Sequence, residues 1–216
     1  MEQQKKYIYK IEDVIYSQII YLYLQSIFFK LKFLKSSLSS NTNLEIKLNS
    51  NQISDSGALG LCCVLADLTN IQNLSFDLSF NQIGLKGASG LGFALANCAN
   101  LYNLKLDLRK NKILAQGATY LGSNLALCNN IQNIILDLNH NELGDDGVSG
   151  LGLALANKGS ILNVNFDLSY NQISDEGSKT LASMIAKCSN LQILKLYMRI
   201  GSDYFFKEIS DRIPIH

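Results

Sequence analysis

The feature that most constrains this fold is a period of thirty residues. Asparagine recurs at this interval, and each copy is followed two positions later by isoleucine or leucine. A fixed period of roughly 20 to 50 residues is typical of a solenoid, whose units bury their apolar faces against one another. Function is then expected on the surface that stacking creates. The asparagine column consists of Asn51, Asn81, Asn111, Asn141 and Asn171.

Each unit combines a predicted strand with a predicted helix. In the second unit Leu74, Phe76 and Leu78 alternate with polar residues, as in a strand with one buried face. Apolar residues at helical spacing follow Gly87. We expect a repeat array over residues 41–200, an N-terminal capping segment over 1–40, and a C-terminal cap or tail over 201–216.

The recurring motif has a family resemblance. The run from Phe76 to Ile83, followed by Gly87, Leu91 and Leu95, resembles a leucine-rich repeat. The helix-bearing unit of thirty residues is similar to the ribonuclease-inhibitor-like subfamily and resembles the arrays of ciliates. The resemblance implies an α/β fold, a curved leucine-rich repeat solenoid with a parallel sheet on the concave face and helices on the convex face. It also implies a protein partner on the concave face, although members of one fold differ in their partners.

Three polar columns have structural interpretations. An asparagine side chain offers two donors and an acceptor, so the column is interpreted as a ladder that satisfies backbone groups in the turns rather than as a ligand site. Short acidic residues are expected to cap the helix starts. The recurring glycines indicate close packing or an unusual backbone angle. The acids are Asp55, Asp145 and Asp175, and the glycines are Gly57, Gly87, Gly117, Gly147 and Gly177.

An acidic column is the candidate site. Residues between the buried strand positions face outward, and the repeat aligns them on strands about 4.8 Å apart. At this spacing like charges repel, and two interpretations remain open. The carboxylates are solvated or offset by nearby Lys105, Arg109 and Lys110, or they form an anionic strip for a basic segment of a partner. Calcium has little support because no oxygen-ligand loop is present. The column reads Lys47, Asp77, Asp107, Asp137, Asp167 and Tyr197.

Aromatic residues refine this site. The sequence places no cation close to Asp137 and Asp167 but places His140 and Tyr170 beside them, and Phe80 provides a second anchor. Tyrosine is enriched where binding energy concentrates. The predicted partner-binding residues are Asp77, Asp107, Asp137, Asp167, Phe80, His140, Tyr170 and Tyr197.

Several functional classes have no support in the sequence. The net charge of +1 comes without a basic stripe, which argues against nucleic acid. The two histidines belong to no catalytic motif, so we expect no enzyme, cofactor or metal site. Five cysteines without CxxC spacing indicate buried thiols, a reducing compartment and hence the cytoplasm. We expect a monomer.

Two alternatives to a passive scaffold remain. One is a regulatory, GTPase-activating type of leucine-rich repeat protein, in which Arg109 or Arg199 would stabilise charge. The other is the repeat portion of a larger, kinase-linked signalling protein.

The ends differ from the array. Residues 14–29 carry no charge but are shorter than the roughly 20 residues that span a bilayer, and polar residues interrupt them. A capping helix over residues 1–40 is favoured over a membrane anchor because Leu31 and Leu38 keep the thirty-residue register. A short capping helix is also predicted over residues 202–212.

Overall fold

The structure is a computed structural model that describes residues 7–8, 42–66, 68–156, 158–200 and 203–210. Strands and helices alternate along the described chain. The strands are β1 Tyr7–Ile8, β2 Asn43–Lys47, β3 Asn73–Asp77, β4 Asn103–Asp107, β5 Asn133–Asp137, β6 Asn163–Asp167, β7 Ile193–Ile200 and β8 Asp203–Ser210. The helices are α1 Asp55–Leu65, α2 Leu85–Ala96, α3 Leu114–Leu125, α4 Gly144–Ala156 and α5 Asp175–Ile185.

All eight described strands form one sheet in chain order. The first seven are parallel, and from β2 to β7 each strand pairs with the next at a shift of thirty residues, as in Leu74 with Leu104. Each helix packs on the helix of the next unit. Because packed helices are about 8–10 Å apart and strands only about 4.8 Å, the stack curves with the sheet on the inside. This confirms the predicted α/β solenoid.

The core is a continuous layer between sheet and helices. The predicted inward residues of the second strand, Leu74, Phe76 and Leu78, are all buried. They join Leu91 and Leu95 from α2 in the same apolar cluster. Every unit repeats this arrangement, so each contributes apolar surface that only its neighbours cover.

The predicted asparagine ladder lies in the turn after each strand. Asn111 is buried, and its Oδ1 accepts a hydrogen bond from the backbone N–H of Ile83 at 2.9 Å. Its Nδ2 donates to the carbonyls of Leu78 at 3.0 Å and Leu108 at 2.9 Å. One side chain thus links two consecutive units. Similar contacts are made by Asn81, Asn141 and Asn171.

A second asparagine ladder, which the sequence analysis missed, lies at the start of the strands. The Nδ2 of Asn73 donates to Oδ1 of Asn43, and the same bond recurs from β3 to β6. The thirty-residue spacing of these asparagines was the one sequence signal that pointed to this row. The row consists of Asn43, Asn73, Asn103, Asn133 and Asn163.

The prediction that aspartates cap their own helices is wrong. Asp55 Oδ1 accepts from the N–H groups of Gly84 and Gly87, which begin the helix of the next unit. Asp145 likewise accepts from the N–H of Ser174 at 2.8 Å. Capping across units is possible because neighbouring helix starts lie side by side in the stack. It couples adjacent units as well as satisfying free amides.

The glycine column permits close helix packing. A Cβ on Gly117 would lie 3.1 Å from Cα of Leu85, and one on Gly147 would lie 3.0 Å from Cα of Ala115. Gly150 in α4 is tighter, since its Cβ would lie 2.7 Å from Cα of Thr119. Close approach, rather than an unusual backbone angle, is therefore the reason for glycine at these positions.

The cysteines are all free thiols, and four of the five are buried. Burial raises the pKa of Cys62 to about 12 and those of Cys98 and Cys128 to about 11. Such thiols remain protonated near neutral pH and pack as small apolar groups. Cys63 is the exposed exception.

The C-terminal end differs from the prediction. The helix expected over residues 202–212 is wrong, because Asp203–Ser210 is a strand that pairs antiparallel with β7. The segment is rich in aromatic residues, which favour strands. Pairing also satisfies backbone groups of β7 that would otherwise form the sheet edge.

The N-terminal predictions lie almost entirely outside the described residues. The uncharged stretch 14–29 and the capping helix over 1–40 belong to this part, as do Leu31 and Leu38. Of the first forty residues, only Tyr7–Ile8 is described, as a strand beside β2.

We expect Asn111→Ala to lower the free energy of unfolding by about 2–3 kcal/mol, because it leaves buried backbone groups without partners. This corresponds to a fall in melting temperature of roughly 5–10 °C. The matched control is Asn129→Ala, at an exposed position. Equal melting temperatures for the two variants would contradict the role of the ladder.

Gly150→Ala is expected to destabilise the protein by about 1–3 kcal/mol, although alanine favours helices more than glycine. The added methyl group would force α3 and α4 apart. Gly159→Ala is the control, since its Cβ would have no neighbour nearer than 3.6 Å. Urea denaturation should separate the variants, and a stabilised Gly150→Ala protein would refute the packing argument.

Candidate functional site

The acidic column lies in register on the outer face of the sheet. Strand pairing places Lys47 beside Asp77 and Asp167 beside Tyr197. Asp107 and Asp137 complete the row between them. We call these six positions the acidic row. The four aspartates are only partly exposed, which brings the negative charges close together on a half-buried surface.

Each aspartate also closes a turn at the end of its own strand. Asp77 Oδ1 accepts from both the N–H and the hydroxyl of Ser79, at 3.0 and 2.7 Å. The other three aspartates accept from the backbone N–H two residues later at 2.9–3.2 Å. Such turns are typical of aspartate and asparagine. The sequence pattern alone does not reveal this local function, which gives the aspartates a structural role apart from binding.

A single cation bridges the centre of the row. Arg109 contacts Asp107 at 3.0 Å and Asp137 at 3.9 Å. The prediction that Asp137 has no close cation is therefore wrong. Arg109 lies just after the end of the neighbouring strand β4, two residues beyond Asp107, and its side chain is long enough to reach across to Asp137. Part of the charge is thus offset, as the first of the two interpretations expected.

The electrostatics still favour a proton or a cation at Asp137. Burial raises the pKa of Asp137 to about 6, and the carboxylates of Asp107 and Asp167 raise it as well. The N–H of Asn139 and the charge of Arg109 act in the opposite direction. Burial also raises the pKa of Asp107. An incoming positive charge would relieve the repulsion at the centre of the row.

The residues just beyond the acidic row have left-handed backbone conformations. The φ angles are 55° at Phe80, 52° at Lys110, 56° at His140 and 59° at Tyr170. This conformation costs most residues roughly 1–2 kcal/mol, whereas glycine and asparagine adopt it readily. The backbone therefore does not explain the aromatic and basic side chains found at these positions.

These side chains form two clusters of rings and cations. His140 and Tyr170 are stacked with ring centroids 4.2 Å apart, and Arg199 Cζ lies 5.1 Å from the Tyr170 ring. Around Phe80, Lys110 Nζ lies 4.8 Å from the ring centroid. Cation–π contacts of this kind hold aromatic side chains in place at the surface. Lys110 belongs to this cluster, although it was not among the predicted partner-binding residues.

The structure thus divides the predicted site in two. His140 and Tyr170 lie together at the carboxyl ends of β5 and β6, just beyond Asp137 and Asp167. Phe80 belongs to the separate cluster at the end of β3 and is about half exposed. Tyr197 follows Asp167 in the row.

The described ranges of the chain contain no group of three or more His, Cys, Asp or Glu side chains able to hold a metal ion. They also contain no helix with the length and apolar character needed to cross a membrane.

Comparison with known proteins supports the leucine-rich repeat part of the resemblance. The family model described as Leucine Rich repeat matches residues 40–62, 73–92, 134–152 and 165–182. The chain carries leucine-rich repeats. A comparison with curated protein sequences finds no match.

Solved structures share the repeat fold at low sequence identity. Leiomodin-1 Actin-Binding Site 2 is 14% identical with a TM-score of 0.54, over 73% of this chain and 86% of that one. The tropomodulin C-terminal domain of Caenorhabditis elegans is 16% identical with a TM-score of 0.54, over 76% and 92%. At such identity the likeness shows the fold alone. The fold is that of a leucine-rich repeat solenoid.

We expect Asp137→Asn to stabilise the protein at pH 7.5 but not at pH 4. The folded-state pKa of about 6 exceeds the usual value for aspartate, so the folded state binds this proton more tightly than the unfolded state. Ionisation of Asp137 therefore lowers the free energy of unfolding above about pH 6. This loss of stability disappears as the pH falls from about 6 toward the usual aspartate pKa of about 4. Asparagine retains the oxygen that accepts from Asn139.

The expected gain at pH 7.5 is about 1 kcal/mol after allowance for solvent screening, or roughly 2–4 °C in melting temperature. Thermal melts of both proteins at the two pH values measure it. An equal gain at both values would show that ionisation of Asp137 is not its cause.

Proposed function

We propose that the protein is a non-catalytic scaffold that binds a partner protein on its concave face. The binding region is the carboxyl half of β5 to β7, where the acidic row meets the stacked rings of His140 and Tyr170. A basic segment of the partner would lie along this region. The remaining predicted contacts, Asp77, Asp107, Phe80 and Tyr197, extend it along the face.

The observation that carries this proposal is the stacking of His140 on Tyr170, two residues that both have left-handed backbone conformations. Both rings occupy positions where asparagine or glycine would be easier for the chain to accommodate. Tyr170 is 38% exposed although it is aromatic. Aromatic side chains that are held rigidly beside charged groups are typical of binding hot spots.

Electrostatics support a basic rather than an acidic ligand at this position. A lysine or arginine near Asp137 would replace repulsion between three carboxylates with attraction, which favours the ionised form of the acid. Arg109 approaches Asp137 only at 3.9 Å, compared with 3.0 Å for Asp107. Asp137 therefore retains more capacity for a second cation than Asp107 does.

The GTPase-activating alternative has less support. Arg109 is held by two carboxylates, and an arginine that stabilises phosphate charge would first have to leave them. A GTP-hydrolysis assay with candidate small GTPases separates catalytic stimulation from passive binding. The repeat portion of a larger signalling protein is compatible with the same binding face.

Further proposals concern the molecular setting. We propose a monomer that acts in the cytoplasm, which accords with four buried free thiols. We also propose that its units are of the ribonuclease-inhibitor-like kind, on the basis of the thirty-residue period with a helix in each unit. The leiomodin domain is named for actin binding, so actin is the first defined partner to test.

The test is affinity purification followed by binding measurements with each recovered protein and with purified actin. The double variant Asp137→Asn, Asp167→Asn removes two charges but keeps the oxygens that close the turns. We expect it to weaken binding about tenfold, or roughly 1.4 kcal/mol, and to reduce the salt dependence of the affinity.

The matched control is Asp146→Asn, Glu176→Gln, which makes the same charge change on exposed helical positions. It should leave the affinity unchanged. A partner that binds both double variants as tightly as the native protein would place the site elsewhere.

A further inference from the structure

A depression of about 500 Å³ lies at the edge of the sheet where the strands begin. The loops that lead from α2, α3 and α4 into β4, β5 and β6 form most of its wall, and the start of β3 completes it. The acidic row lies at the opposite, carboxyl ends of the strands. The depression is therefore separate from the region proposed above for a partner protein.

The lining of this depression is polar and uncharged. It consists of seven amide side chains, the hydroxyl of Ser160 and the ring of Tyr102. Among the described residues, no charged and no aliphatic side chain lines it. Its volume is within the range of roughly 300–1,000 Å³ that is typical of small-ligand sites.

Two of the amides have a structural role. The Nδ2 groups of Asn100 and Asn130 donate to the carbonyls of Thr69 at 3.0 Å and Ala99 at 2.7 Å, one unit earlier in the array. These bonds connect the loops of consecutive units. They account for asparagine at these two positions without a ligand.

Other amides in the depression have no such role. Gln72 and Asn129 are exposed, and their side chains form no hydrogen bond with other described residues. The array does not require an amide at position 129, because the other units have smaller residues in this register, namely Thr69, Ala99, Gly159 and Ser189.

Tyr102 is the aromatic residue of the lining, and the array does not require it either. The same register position is glutamine in three other units, at Gln72, Gln132 and Gln192. The side chain of Tyr102 is 41% exposed, and its hydroxyl donates to Oε1 of Gln132. This bond holds the ring beside the amides and leaves the two N–H donors of Gln132 for a ligand. The ring thus offers an apolar surface among hydrogen-bonding groups.

The chemistry of the lining selects one class of ligand. A charged ligand would lose hydration without gaining an opposite charge, and an apolar ligand would cover the amides without bonding to them. A peptide would bring side chains for which the lining offers neither a charge nor an aliphatic surface. Hydroxyl groups both donate and accept, as side-chain amides do, so a neutral ligand rich in hydroxyl groups matches the depression.

We propose that this depression binds a neutral oligosaccharide. One sugar ring stacks on Tyr102 through its apolar C–H face, and its hydroxyl groups bond to the amides of Gln72, Asn129 and Gln132. This site does not depend on the proposal made above for a partner protein.

The probes are three neutral hexasaccharides, maltohexaose, cellohexaose and mannohexaose, which are titrated separately into the full chain. The assay follows the side-chain amide NMR signals of Gln72, Asn129 and Gln132. We expect saturable shifts of these signals with at least one probe. Hexagalacturonate carries a carboxylate on every ring and should bind at least tenfold more weakly than that probe, because no cation lines the depression.

Tyr102→Gln is the decisive variant. It introduces the residue that three other units have at this position, so the melting temperature should not change. Loss of the stacking surface should weaken binding at least tenfold. The matched control is Tyr120→Gln, at a tyrosine on α3 that is 42% exposed, and it should leave binding unchanged.

Asn129→Ala removes one amide from the depression. It should weaken binding about threefold, which corresponds to the loss of one neutral hydrogen bond. The melting temperature of each variant shows that a loss of binding is not a loss of folding.

Three results would overturn the proposal. One is the absence of saturable shifts with all three hexasaccharides up to about 20 mM, well above a millimolar dissociation constant. Another is undiminished binding by Tyr102→Gln. The third is tighter binding of an N-acetylated, C-amidated peptide of alternating glutamine and asparagine, which would assign the depression to an amide-rich protein segment.

Discussion

The structure depends on buried asparagine side chains that connect each unit to the next. A parallel solenoid must end every strand and begin a helix in the same tight space, where backbone groups have no regular partner. Asn81, Asn111, Asn141 and Asn171 supply that partner, and each bonds to the backbone of two consecutive units. The apolar core provides most of the driving force for stacking. The ladder defines the register in which stacking occurs, and register in turn determines which side chains align on the outer face.

The acidic row shows how one column serves both folding and surface chemistry. Each aspartate closes the turn after its strand, which requires only one carboxylate oxygen. Asparagine could close the same turn without charge. The charge therefore has consequences beyond the turn, including the raised pKa of Asp137 and the ion pairs with Arg109. Both arise from the carboxylate charge, which closure of the turn does not require.

Much of the fold could be predicted because the period imposes it. Alternation in Leu74, Phe76 and Leu78 identified the buried side of the strands, and the thirty-residue spacing then aligned the aspartates correctly. Contacts between side chains of different strands were not accessible in this way. The reach of Arg109 to Asp137 depends on side-chain rotamers and on the distance between strands.

The helix predicted near the C-terminus was wrong because the segment contains no repeat from which its structure could be inferred, and its pairing with β7 determines its conformation. The asparagines at the strand starts share the period, but without the sheet register their direct bonding to one another could not be recognised.

The most direct test of the ladder is hydrogen exchange of the amides it accepts from, measured by NMR in the native protein. The N–H groups of Ile53, Ile83 and Ile113 lie in turns but are bonded to Asn81, Asn111 and Asn141. We expect these amides to exchange as slowly as the central strand amide of Leu106, through global unfolding. Exchange at the rate of exposed loop amides would show that the ladder does not hold the units together.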